Sequence, residues 1–166
     1  MAKNVAHYSV LIALAMVMSY IEANIPISGA VYGVKLGLAN VVVLLALYVY
    51  GFKAATFISI IRIFLVGILF GTSYSLLFSL AGGTLSLLVM GLLKRFKIGS
   101  IIGVSVFGAV FHNFGQIIVA ILLLNISVMY YLPILIVSGI VSGVLIGIVS
   151  GIVIKRVRRY ILCYRS

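Results

Sequence analysis

The chain has 166 residues, of which 65% are apolar and only 8% are charged. Soluble domains are closer to half apolar and a quarter charged, so this composition excludes a soluble globular protein. It is also far too apolar for intrinsic disorder, and a single cysteine excludes an internal disulfide framework. At about 20 apolar residues per transmembrane helix, the length accommodates about six spans.

Six apolar stretches follow one another along the chain, separated by short loops rich in turn residues. Backbone amides in hydrocarbon need partners within their own segment, so stretches of this length should be helical. We predict an all-α fold, a six-transmembrane-helix bundle that forms a single integral membrane domain over residues 1–166. The predicted helices cover residues 5–21, 35–50, 54–70, 74–93, 100–124 and 131–154.

The basic residues support this division. With the N-terminus in the cytoplasm, ten of the twelve Lys and Arg residues fall on the cytoplasmic side. Lys35 falls outside, and Arg62 falls within the third span. This asymmetry follows the positive-inside rule and predicts a multi-pass protein of the cell membrane with both termini cytoplasmic. The lipid bilayer is therefore the expected surrounding, and nucleic acid is not an expected partner.

Small residues recur on two of the predicted helices. The sixth carries a four-residue glycine repeat at Gly139, Gly143, Gly147 and Gly151. Because lipid offers no hydrophobic drive between helices, close backbone approach over small residues supplies the association energy. The repeat predicts a tight helix contact, either within the chain or with another subunit. The first helix has a shorter version at Ala15 and Ser19.

Polar side chains within the membrane are costly and mark candidate sites. His112 and Gln116 are four residues apart and share one helical face. Arg62 and His112 lie near the middle of the membrane, Asn40 and Gln116 in its outer half, and Glu22 and Lys35 in or beside the first outer loop. The candidate substrate-binding residues are Glu22, Lys35, Asn40, Arg62, His112, Asn113 and Gln116.

Each candidate also has a structural interpretation. Helix carbonyls and neighbouring amides could hold Arg62, His112 could be a core histidine, and Asn113 could form an interhelical hydrogen bond. Glu22 and Lys35 could be an exposed loop pair of little energetic value. If the residues do form a pocket, its excess of positive charge favours a substrate with a carboxylate or phosphate, or a planar ring that forms hydrogen bonds.

One acidic residue in the whole chain excludes most enzyme chemistry. Acid/base work with paired carboxylates needs two of them, and Mg²⁺-dependent diphosphate chemistry needs several. Two histidines at different depths, His7 and His112, do not make a zinc site, and the chain has no Walker A sequence. We therefore expect no catalytic residue, no metal and no cofactor: the chain is not an enzyme.

Three segments carry a family resemblance: GVKLGLANVVVLLALYVYG at 33–51, SLAGGTLSLLVMGLLKR at 79–95 and GAVFHNFGQIIVA at 108–120. They resemble the bacterial Gx transporter family, also named heptaprenyl diphosphate synthase component I, over nearly the whole chain. Members of that family are similar to the substrate-binding (S) components of energy-coupling factor (ECF) transporters, which have six helices and both termini inside.

The resemblance implies a pocket near the outer surface for a small vitamin- or cofactor-like solute. It also implies a partner membrane subunit, held through small residues of the first helix, and two cytosolic ATPases that drive import. Five residues lie inside the matching segments as pocket candidates: Lys35, Asn40, His112, Asn113 and Gln116. Ala15 and Ser19 are the corresponding partner-contact candidates.

The family's second name implies an alternative, an accessory membrane subunit of heptaprenyl diphosphate synthase. A prenyl diphosphate synthase carries aspartate-rich motifs, and this chain contains no aspartate. It could serve such an enzyme only by presenting the hydrophobic product to the bilayer. A stand-alone facilitator is a third possibility, and the solute itself is left open.

Overall fold

The computed structural model describes residues 2–24, 37–123 and 126–163, and these residues are almost entirely helical, without a β-strand. The all-helical fold predicted from the sequence is confirmed. A short 3₁₀ helix, Ile126–Tyr131, precedes the last of the six α-helices. The α-helices are α1 (Ala2–Asn24), α2 (Leu38–Val49), α3 (Phe52–Phe70), α4 (Ser73–Arg95), α5 (Ile101–Leu123) and α6 (Leu132–Cys163).

Two helix boundaries differ from the prediction in an informative way. α2 begins at Leu38 rather than at residue 35, because Gly37 has a φ of 72° and this left-handed conformation is not helical. α6 continues to Cys163 rather than ending at about residue 154. Lys and Arg are good helix formers, so the basic segment marks the end of the apolar stretch and not the end of the helix.

Five helices are long and apolar enough to cross a membrane, namely α1, α3, α4, α5 and α6. α2 has 12 residues, or about 18 Å of helix, which is shorter than a hydrocarbon core of about 30 Å. Large apolar side chains face outward along the bundle; Ile68 is 74% exposed and Leu122 is 78% exposed. The chain is a multi-pass membrane protein.

The glycine repeat of α6 packs within the chain, against α5. A Cβ atom added at Gly143 would lie 2.6 Å from Val106 Cα, and one at Gly147 would lie 2.7 Å from Ile102 Cα. Gly139 faces the Asn113 side chain in the same interface, whereas Gly151 has no neighbouring atom within 4 Å of such a Cβ. Close backbone approach therefore joins α5 and α6 at three of the four glycines.

The contact between α4 and α5 is equally close. A Cβ atom at Gly115 of α5 would lie 2.7 Å from the Ala81 carbonyl oxygen, and one at Gly108 would lie 2.6 Å from Met90 Sδ. These three helices thus form a tightly packed layer, and α2 lies between α6 and the pair formed by α1 and α3. The side chains of α2 are the centre of the core, with Leu44 and Leu47 almost inaccessible.

α1 turns the face of its small residues towards the bundle. Ala15 is 0% exposed, and Ser19 contacts α3 through a hydrogen bond described below. The opposite face of α1 exposes Val10, Leu14 and Val17. Ala15 therefore packs against the bundle in this structure, and its partner-contact role stays a prediction.

The start of α1 and the end of α6 lie at the same end of the bundle. The Tyr8 ring of α1 contacts the Tyr50 ring just after α2, with centroids 5.6 Å apart. Arg158 of α6 donates a hydrogen bond to the Tyr48 carbonyl of α2. Lys53, Lys94 and further Lys and Arg residues cluster here, so we call this the basic end of the bundle.

Candidate functional site

α2 begins well inside the bundle, which shapes the candidate site. A Cβ atom at Gly37 would lie 3.1 Å from Ile146 Cδ1 of α6. Ile146 lies about 16 Å along α6 from Leu135, near the start of that helix, at about 1.5 Å per residue. The described part of α2 therefore extends from the middle of the bundle to the basic end, and its N-terminus points towards the opposite end.

Glu22, the one acidic residue of the chain, is bonded to this N-terminus. The Gly37 N–H donates a hydrogen bond to Glu22 Oε1 at 2.5 Å. A carboxylate is favourable there, because the first N–H groups of a helix lack intrahelical partners and carry partial positive charge. Glu22 thus joins α1 to α2. The sequence predicts it as a substrate-binding residue, so this structural role is additional.

Arg62 projects from α3 towards the same group. Its Nη1 donates a long hydrogen bond of 3.4 Å to Ser19 Oγ of α1, and its guanidinium interacts electrostatically with Glu22. Its Nε is buried and has no hydrogen-bond partner among the described residues. An unpaired buried N–H is costly, so this guanidinium has donor capacity for a further acceptor.

His112 and Gln116 share one helical face, as their spacing predicts, and this face contacts α4. A Cβ atom at Gly82 would lie 3.1 Å from His112 Cε1 and 3.0 Å from Gln116 Cγ. It would also lie 2.7 Å from the His112 carbonyl oxygen. The absence of a side chain at Gly82 is therefore what gives these two polar residues room between α4 and α5.

Asn113 lies on a different face of α5 and binds α6. Its Nδ2 donates a 2.6 Å hydrogen bond to the Leu135 carbonyl oxygen, and the side chain is 7% exposed. Nδ2 would also lie 3.0 Å from a Cβ at Gly139. The structure thus gives Asn113 the interhelical hydrogen bond that was one of its two expected roles, and separates it from the face of His112 and Gln116.

Asn40 lines a small void between α2, α4, α5 and α6, together with the hydroxyl-bearing Ser86 and Ser105. The void has room for about one water molecule. Ser105 is not among the residues predicted from the sequence. It lies on the same helical face as His112, seven residues earlier, and this spacing is the signal that could have identified it.

The candidates therefore fall into separate groups. Glu22 and Arg62 meet beside Gly37, His112 and Gln116 lie together between α4 and α5, Asn40 lines the void, and Asn113 binds α6. Lys35 lies outside the described residues. Among the described residues, no group of three or more His, Cys, Asp or Glu side chains is placed to hold a metal ion.

A sequence model of the family described as heptaprenyl diphosphate synthase component I matches residues 11–153. This range contains all the candidate site residues and most of the helical bundle. No curated protein and no solved structure matches the chain. The resemblance predicted from three segments is confirmed: the chain belongs to the heptaprenyl diphosphate synthase component I family, also known as the Gx transporter family.

Proposed function

We propose that the protein is the substrate-binding component of an ECF-type uptake system. It captures a small polar or anionic solute, of the vitamin or cofactor type, in the half of the bundle beyond the N-terminus of α2. The observation that carries this proposal is Arg62, a cation inside an apolar bundle whose buried Nε has no partner among the described residues. A guanidinium in such surroundings binds carboxylate or phosphate groups well.

The charge around this site supports a preference for anions. Arg62 and the positive end of the α2 dipole are opposed by the Glu22 carboxylate alone. Glu22 already accepts a hydrogen bond from Gly37 at the N-terminus of α2. Its negative charge therefore balances the positive charge of Arg62 only in part. His112 and Gln116 add polar groups between α4 and α5 that suit a hydrogen-bonding ring.

The basic end supports a proposal for the orientation of the bundle. We propose that this end faces the cytoplasm, so that all six helices form one membrane domain with both termini inside. A solute would then enter from the outer surface. The chain itself has one carboxylate and no nucleotide-binding motif, so import requires a coupling membrane subunit and two cytosolic ATPases. In the proposal the chain binds the solute and catalyses no reaction.

The test is the identity and retention of the bound solute. Small molecules are extracted from the purified protein and identified by mass spectrometry, for the wild type and for Arg62→Gln. We expect the variant to lose at least about nine-tenths of the solute, as for the loss of a charged hydrogen bond of about 1.5–3 kcal/mol. Lys53→Gln, which removes an exposed cation from the first turn of the same helix, is the matched control and should retain it.

Two results would contradict the proposal. One is a wild-type protein that carries no solute, and the other is a folded Arg62→Gln protein that carries as much as the wild type. Co-purification with ATPases and a second membrane protein would support the proposed partners.

The family description favours a second candidate, an accessory membrane subunit of heptaprenyl diphosphate synthase. In that role the protein would receive the long apolar product and present it to the bilayer. The two candidates differ in a simple assay. Addition of the purified chain in lipid vesicles should raise the turnover of a soluble prenyl diphosphate synthase if the second candidate is correct, and should leave it unchanged if the first is correct.

A further inference from the structure

Two cations from different helices meet at the last turn of α2. Lys94 Nζ of α4 donates a hydrogen bond to the Leu47 carbonyl oxygen, and Arg158 Nη2 of α6 donates one to the Tyr48 carbonyl oxygen at 3.2 Å. Lys94 Nζ also lies 5.3 Å from the centroid of the Tyr48 ring. The two cations are close enough to repel each other electrostatically. The fold therefore brings two like charges to adjacent carbonyl groups, those of Leu47 and Tyr48.

Among the described residues, no acidic side chain neutralises this charge. The one acidic side chain in the sequence, that of Glu22, is bonded to Gly37 at the opposite end of α2. The C-terminus of a helix contributes about half a negative charge, which leaves most of the two positive charges uncompensated. Donors also remain, since a Lys side chain has three N–H groups and an Arg side chain has five, and each donates one of the hydrogen bonds just described.

The position of the pair indicates where the missing anion comes from. Lys94 lies in the last turn of α4, where an apolar span ends. Exposed basic side chains follow on the same two helices, among them Arg95, Lys155 and Arg159. Basic residues at the ends of membrane spans lie at the depth of the lipid headgroups. The abundant anion at this depth is the lipid phosphate.

We propose that Lys94 and Arg158 bind the phosphate of an anionic phospholipid at the C-terminal end of α2. The headgroup accepts hydrogen bonds from both side chains and relieves their repulsion, while the acyl chains lie along the exposed apolar surface of the bundle. The phosphate of the bound lipid thereby neutralises the two cations where α2, α4 and α6 meet. The site is independent of the proposed solute site, which lies beyond the other end of α2.

The test is a count of retained lipids. The full-length protein is purified in detergent with equal amounts of phosphatidylglycerol and phosphatidylcholine that have the same acyl chains, and native mass spectrometry counts the molecules of each that stay bound. We expect the wild type to retain phosphatidylglycerol over phosphatidylcholine by about tenfold. The Lys94→Gln/Arg158→Gln variant should retain the two lipids almost equally, and the charge-conserving Lys94→Arg/Arg158→Lys variant should keep most of the preference.

The matched control is Arg95→Gln/Lys155→Gln, which removes the same formal charge from exposed side chains of the same two helices. It should keep at least half of the wild-type preference. Equal retention of the two lipids by the wild type would overturn the proposal. This measurement needs no variant, so the proposal can be refuted even if the Gln variant does not fold. An equal loss in the control would overturn it too, because the attraction would then be diffuse. Displacement of the lipid by an excess of inorganic phosphate would assign the site to free phosphate instead.

Discussion

The contact between α5 and α6 can be tested by adding one methyl group at Gly143. A Cβ atom there would lie 2.6 Å from Val106 Cα, whereas ordinary contact begins at 3.4 Å, so the deficit is about 0.8 Å. The opposing atom belongs to the backbone and cannot rotate away, so the two helices must separate along the contact. Such overpacking costs about 1–3 kcal/mol. Replacement of Gly by Ala within a helix also stabilises that helix by about 1 kcal/mol, because Ala has the higher helix propensity.

Gly151→Ala is the control that removes the propensity term from the comparison. Gly151 lies two turns further along the same helix, and a Cβ atom there would have no neighbour within 4 Å. Both variants gain the same propensity, so the difference between them measures packing alone. A difference of about 2 kcal/mol corresponds to a Tm about 4–8 °C lower for Gly143→Ala than for Gly151→Ala in a chain of this size.

The assay is thermal unfolding followed by circular dichroism in one detergent, with all proteins at the same concentration. Gly143→Leu extends the series, because a larger side chain must separate the helices further and lower the Tm more. Equal Tm values for Gly143→Ala and Gly151→Ala would refute the reasoning, since the glycine repeat would then face lipid or detergent instead of α5.

Other side chains give predictions of smaller size. Glu22→Gln keeps an oxygen acceptor for the Gly37 N–H but loses the charge, so unfolding should become easier by about 1 kcal/mol; a Tm equal to that of the wild type would contradict the electrostatic role. Asn113→Leu removes the hydrogen bond to Leu135 and should lower stability by about 0.5–2 kcal/mol in the same melting assay. Gln116→Leu should reduce the co-purified solute in mass spectrometry while leaving Tm unchanged, and a parallel loss of both would assign Gln116 to folding.

The helices could be predicted from the sequence because each is a long apolar stretch, but their ends depend on local chemistry that hydropathy does not report. The basic segment after residue 154 ends the apolar stretch, yet its Lys and Arg residues continue α6 to Cys163. Conversely, hydropathy gives no sign that Gly37 has a left-handed backbone, and α2 starts only after it.

The candidate site was predictable as a set of residue types but not as a geometry. Spacing correctly predicts that His112 and Gln116 share a face, because both lie on one helix. It does not show that Asn113, one residue away, bonds to α6, because that depends on which helix packs at each side of α5. In the same way, the glycine repeat and Ala15 indicate close packing of small residues without showing which helix is the neighbour.

α2 contains neither glycine nor proline, so nothing in its sequence allows it to bend. Side chains from three other helices hold its two ends: Glu22 at one, and Lys94 and Arg158 at the other. A displacement of Gly37 would thus be expected to move the carbonyls of Leu47 and Tyr48 as well, because α2 is an uninterrupted helix. α2 therefore connects the middle of the bundle, where Glu22 and Arg62 meet, to the basic end.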